Sequence, residues 1–118
     1  TLVMAVINPT KHEVCIANAG HLSPLLRNRL GAVTPLGQQE SGMPLGVMPQ
    51  QHYREVVIPI EPGDTLVFYT DGVTEAMDTA QKIFGRERLE QTLRAAPVPV
   101  RELIPHVVDD VERYLDPK

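Results

Sequence analysis

The sequence predicts an α+β fold, an antiparallel β-sandwich flanked by helices. Three observations carry that reading. An apolar segment, residues 2–7, runs into the polar turn Asn8-Pro-Thr-Lys-His12 and returns as a second apolar segment, residues 13–17. Two strands joined by so short a connection form a hairpin and are antiparallel. Both alternating faces of the first strand are apolar, whereas an antiparallel sheet ordinarily keeps one wet face. Two dry faces call for a second sheet on one side and helices on the other. Finally, Val100–Leu115 carries Val100, Leu103, Ile104, Val107, Val108, Val111 and Leu115 at helical spacing, which is one amphipathic stripe.

The remaining elements follow in order. Residues 25–27 and 32–36 read as a second hairpin around Asn28-Arg-Leu-Gly31. Residues 38–49 are Gly-rich without a period and read as loop. Residues 53–60 alternate, with Arg54, Val56, Ile58 and Ile60 set against Tyr53, Glu55 and Val57. Glu61-Pro-Gly-Asp64 has turn chemistry, and residues 65–70 form the central strand. One helical turn is expected over 73–77. Arg86–Ala95 reads as a helix with Leu89 and Leu93 four apart, and Pro97-Val-Pro99 breaks it before the final helix. Pro105 falls inside that last helix, where a missing amide predicts a kink.

Composition narrows the functional classes. At 118 residues the chain fits one modest domain, with no repeats, low-complexity tract or interdomain linker. A net charge of −4 offers no basic footprint, and scarce aromatics without Trp offer no base-stacking surface, so nucleic acid is not an expected partner. No apolar run approaches the roughly 20 residues of a membrane span. Cys15 is the single cysteine, so no internal disulfide forms, which fits a reducing cytoplasm. Between Val14 and Ile16 it reads as a small buried hydrophobe. No Cys-x5-Arg loop exists, which excludes a covalent cysteine phosphatase mechanism.

The most informative stretch is Asp64-Thr-Leu-Val-Phe-Tyr-Thr-Asp-Gly-Val-Thr-Glu75. An apolar strand runs straight into Asp71-Gly72, leaving a carboxylate at the open end of a strand. Gly72 suits a turn that a side chain would resist. A carboxylate there can hold a hard divalent cation, and the plainer alternative is that Asp71 caps the next helical turn.

Other blocks lie at telling positions. Asn18-Ala-Gly-His-Leu-Ser-Pro-Leu-Leu26 and Pro44-Leu-Gly-Val47 precede it, Glu61-Pro-Gly-Asp64 leads in, and Phe84-Gly-Arg-Glu-Arg-Leu89 follows. In this order the chain resembles, over nearly its whole length, the bacterial SpoIIE-type branch of the PPM (type 2C) metal-dependent serine/threonine phosphatases. The resemblance implies a PPM-like α/β/β/α fold and a site for two Mn²⁺ or Mg²⁺ ions. It implies a phosphoprotein substrate, often an anti-sigma-factor antagonist, within a cytoplasmic bacterial signalling relay. It also implies that residues 1–118 are the C-terminal part of one such domain. The family's Gly-Asp and Asp-Gly ligands belong to an N-terminal half, and its final Asp-Asp-x-Thr strand lies further on. Asp71 is the one position carried over as a metal ligand, with Gly72, His21, Gly20 and Asn18 as candidate active-site loop residues.

Plainer readings stand beside these. Asn18, Gly20 and His21 suit a structural loop. Asp64 closes the Pro62-Gly63 turn, and Glu75 is solvated or capping. His12, His52 and His106 share no ligand spacing. Asp109-Asp110 lies inside a periodic helix, off its apolar stripe, so both are read as solvated rather than as the family's terminal Asp pair. Arg86 and Arg88 are read as exposed. Two rival functions remain: a non-catalytic binding or scaffold module, or an inert fragment, and a small-molecule phosphohydrolase. Strands apolar on both faces, with half a sandwich lacking, also predict self-association, a homodimer included.

Overall fold

The structure, a computed structural model, describes residues 1–96 and 99–117. In chain order the elements are β1 (Leu2–Asn8), β2 (Glu13–Ala19), β3 (Leu25–Arg27), β4 (Val33–Pro35), β5 (Glu55–Pro59), β6 (Thr65–Val67), α1 (Asp71–Thr74), α2 (Arg86–Ala95) and α3 (Val100–Leu115). The expected strands and both long helices are present. The Pro97-Val98 part of the expected helix break lies outside the described residues.

Two antiparallel three-stranded sheets form, ordered β1-β2-β5 and β4-β3-β6. In the first, Ala5 and Val56 both face Ile16 across the ladder. Turn chemistry sets the hairpins. Asn8 Oδ1 accepts from the Lys11 amide at 3.1 Å, and His12 takes φ +52° to turn the chain back. Asn28 Oδ1 accepts from the Leu30 and Ala32 amides at 2.9 and 3.0 Å. Such Asx contacts make the turn before any packing does.

The alternation of the strands sorts side chains into two cores. Between the sheets lie Val14, Ile16 and Leu36, with Val3, Ala5, Leu26, Val56, Ile58 and Leu66 packed against them. On the other side of β4-β3-β6, Leu25, Val33, Tyr69, Phe84, Leu89, Leu93, Ala96 and Leu103 form a core with α2 and α3. Leu25 and Leu93 are completely buried, so truncating either to Ala would cost roughly 2–5 kcal/mol.

Several expectations change here. Helices cover one sheet only, so among the described residues the layering is sheet, sheet, helix. Leu2, Met4, Val6 and Val57 are half-exposed on the outer face of β1-β2-β5. Both long helices follow β6 in the chain and pack on β6's own sheet, which leaves the other sheet's far face open. The expected central strand is shorter than predicted and is an edge: among the described residues β6 pairs only with β3, and residues 68–70 have no ladder partner.

The stripe of α3 divides for the same reason. Leu103 is buried and Val107 and Val111 pack on the core, but Val100 and Ile104 are 67% and 75% exposed. They lie on the side of α3 that overhangs the edge at β6. The helix continues through Pro105. That exposed ring removes the amide that would bond the Arg101 carbonyl, and water can reach the carbonyl instead.

Candidate functional site

The segment that leads from β6 to the candidate ligand is fixed by Tyr69, whose ring is buried in the helical core while Phe68 and Thr70 on either side are exposed. Burial pushes the Tyr69 hydroxyl above its ordinary pKa, with Arg86 lowering it and Glu90 raising it. Thr70 is the N-cap of α1, and Asp71 is its first residue. The helical turn therefore begins two residues earlier than the sequence predicts. The Val73 amide donates to Thr70 O at 3.1 Å and the Glu75 amide to Asp71 O at 2.7 Å. The Asp71 main chain is thus tied into the turn. Its side chain is exposed and makes no hydrogen bond or ion pair among the described residues.

Two details depart from expectation. Asp71 does not act as a side-chain cap, because it lies inside the turn rather than before it. Gly72 does not adopt a positive φ, and a Cβ added there would meet only Thr70 Oγ1 at 3.4 Å, an ordinary contact. Glycine at 72 is not required by the local backbone.

The second candidate group, Asn18, Gly20 and His21, closes on itself at the end of β2. Asn18 is 3% exposed, and both ends of its amide are used. Its Oδ1 accepts from the His21 amide at 2.8 Å, and its Nδ2 donates to His21 O at 3.0 Å. Asn18 O accepts from the Gly42 amide at 2.9 Å, which ties in the 38–49 loop. His21 Nδ1 lies 2.9 Å from Leu22 O. A carbonyl only accepts, so this contact places the hydrogen on Nδ1. Gly20 has φ +73°, and a Cβ would fall 2.7 Å from Pro44 Cγ. Here glycine is required twice over, by backbone and by space. Among the described residues, no hydrogen bond or ion pair joins this loop to Asp71.

Elsewhere, Asp64 closes its turn by accepting from the Glu61 amide at 2.8 Å. Asp110 is not simply solvated: it accepts from Thr92 Oγ1 on α2 and from Arg113 at 3.3 Å, linking the two helices, while Asp109 is exposed. Arg88 is not merely exposed either. Its guanidinium stacks 4.4 Å above the Tyr114 ring centroid. Cys15 is half-buried on the open outer face, opposite in alternation to Val14 and Ile16, and lies 3.8 Å from Glu55 Oε2. Sequence reasoning passed over Asp78, whose Oδ1 accepts from the Ala80 and Lys82 amides at 2.9 Å. The Asp-x-x-x signature of an Asx turn was there to find it.

Asp71 has the chemistry a hard cation wants, an exposed carboxylate on a short turn. It has too little company to complete a site. No group of three or more His, Cys, Asp or Glu side chains able to hold a metal forms among the described residues. One hollow, about 930 Å³, is lined by residues such as Arg29, Asp64, Phe68 and Val100. A narrower groove of about 440 Å³ runs between β6 and α3. Neither includes Asp71, so chemistry rather than concavity selects the candidate.

Comparison with known proteins places these features in a family. Protein IcfG of Synechocystis sp. is 31% identical over 116 residues, which is 98% of this chain and 18% of that protein. The SiaA-PP2C domain of Pseudomonas aeruginosa superposes with a TM-score of 0.74 at 23% identity, over 96% of this chain and 44% of that one. The RsbU and RsbW domains of Rv1364c from Mycobacterium tuberculosis give 0.73 at 20% identity, over 96% of this chain and 31% of that one. The chain thus spans less than a fifth of the curated relative and less than half of either solved chain. The sequence profile of stage II sporulation protein E (SpoIIE) matches residues 1–118, so the chain, which shares the fold of these solved domains, belongs to the SpoIIE family.

Proposed function

We propose that this chain is the C-terminal part of a metal-dependent phosphoserine/phosphothreonine protein phosphatase domain. The observation that carries the reading is Asp71, an exposed carboxylate with no protein partner among the described residues, at the start of the helical turn that follows β6 in a SpoIIE-family chain. Asp71 is the residue here that would hold Mn²⁺ or Mg²⁺. When bound, such ions would supply an activated water and neutralise phosphate charge. The chain's own part is to fix the Asp71 main chain in α1 and to leave its carboxylate open. The substrate proposed is a cytoplasmic phosphoprotein, an anti-sigma-factor antagonist in particular. That proposal draws support from a relative whose solved structure pairs RsbU and RsbW domains.

In the whole protein carrying this chain, Asp71→Ala should nearly abolish Mn²⁺-dependent hydrolysis of a phosphoprotein and leave the fold intact by circular dichroism. The 118-residue chain alone should show negligible activity with excess Mn²⁺. Chelator-sensitive turnover by that chain would reveal a complete site and overturn the assignment of Asp71 as one ligand of a larger set.

A second reading is a non-catalytic binding or scaffold module. It is favoured by the absence of a metal-holding cluster among the described residues. The two separate on the sequence flanking this chain in its gene. Upstream Gly-Asp and Asp-Gly motifs with a downstream Asp-Asp-x-Thr support catalysis, and their absence supports the module.

A further inference from the structure

We propose that Tyr114 is a positioning residue for Asp71, acting through the connection between α1 and α2. The proposal rests on the reading of Asp71 as a metal ligand. α1 is four residues long, too short to hold its own direction in water. It is pinned from outside, at carbonyls just after the ligand. The Phe84 amide donates to Ala76 O at 2.7 Å, and the Gly85 amide donates to Thr74 O at 2.8 Å. Met77 and Ile83 form an antiparallel bridge between the same two stretches.

What fixes residues 82–85 therefore fixes the turn of Asp71. Asp78 does so from within, through its bonds to the Ala80 and Lys82 amides. Tyr114, in the last turn of α3, does so from outside. Its hydroxyl lies 3.1 Å from Lys82 O and 3.1 Å from Ile83 O. Both carbonyls only accept, so the phenol donates its one hydrogen between them. The ring stands edge-on to Phe84 at 5.4 Å and 75°, and Phe84 is 3% exposed. Arg88 covers the outer face of Tyr114. Packing alone would be served by Phe at 114. The hydroxyl is set on Ile83 O, which shares its peptide unit with the Phe84 amide that holds Ala76 O, and on Lys82 O just before it.

The test uses Tyr114→Phe in the whole protein carrying this chain, because that change keeps the ring and removes the hydroxyl alone. Hydrogen exchange at the Phe84 and Gly85 amides should become roughly five-fold faster, with β2 amides unchanged. Mn²⁺ binding, followed by the electron paramagnetic resonance of the free ion, should weaken measurably while turnover at saturating Mn²⁺ is retained. Ile58→Val, in the core between the sheets, controls for general destabilisation and should move neither readout. Unchanged exchange at Phe84 and Gly85 would overturn the brace. Faster exchange with unaltered Mn²⁺ binding would overturn the positioning role and leave a purely structural one. A wild-type protein that binds no Mn²⁺ would instead overturn the metal reading of Asp71, a failure the exchange data identify separately.

Discussion

Arg27 on β3 reaches across the sheet to the end of α2, where its Nε donates to Leu93 O at 2.8 Å and its terminal nitrogen donates to Ala96 O. A cation is thereby placed on carbonyls that the helix leaves without partners, at the negative end of its dipole. Arg27→Met keeps the aliphatic stem and removes the donors. It should cost about 2 kcal/mol, read as a lower urea midpoint at constant slope. A loss within about 0.5 kcal/mol would show that water satisfies those carbonyls equally well.

The adjacent aspartates of α3 should part company. Asp110→Ala removes the acceptor for Thr92 and Arg113 and should destabilise by about 1 kcal/mol, a value held down by partial exposure. Asp109→Ala should stay within about 0.5 kcal/mol. Equal losses in thermal denaturation would mean that the bond between the helices contributes nothing.

Cys15 should react slowly. Burial first, then the Glu55 carboxylate and its hydrogen bond, then Glu13, push its thiol above its ordinary pKa. Less thiolate is present at pH 8 than in an unfolded chain, so iodoacetamide labelling should be slower than in urea. The folded state also holds this proton more tightly than the unfolded one. Its contribution to stability is therefore full below the unfolded pKa and falls as pH rises through the folded pKa. Glu55→Gln should quicken labelling; no change would remove the carboxylate as a cause.

The 118-residue chain should self-associate. Leu2, Met4, Val6 and Val57 leave one sheet face open, and β6 offers an unpaired edge. α3 does not fold over that face, since it lies on the other sheet. Sedimentation velocity over a concentration series reads this directly. A single monomeric species throughout would show that the open face is tolerated in water.

Much of this arrangement is legible in the sequence because it is local. The alternation of Val14 and Ile16 against Cys15, the Asn28 turn and the apolar spacing of α2 and α3 are each decided within a few residues. What was not legible depends on which layer meets which. The spacing of Val100, Ile104 and Val108 is as regular as that of Leu103 and Val107, yet only the latter meet a core, because β6 ends the sheet beneath them. Asp109 and Asp110 look alike until Thr92 approaches one of them. The same holds for the candidate site. Asp71 is visible as a carboxylate at a strand end, but its freedom from partners, and the closed loop of Asn18 upon His21, are facts of three-dimensional neighbourhood.

The three residues of β3 serve both cores at once, with Leu25 turned to the helices and Leu26 to the other sheet. Adding or deleting one residue there would exchange the two sides and mismatch both interiors together. The 38–49 loop, with its exposed side chains and few backbone bonds, has no such double duty. Length variation among natural versions of this chain should therefore accumulate in that loop and be all but absent from β3, which makes a strand of only three residues the one least free to drift.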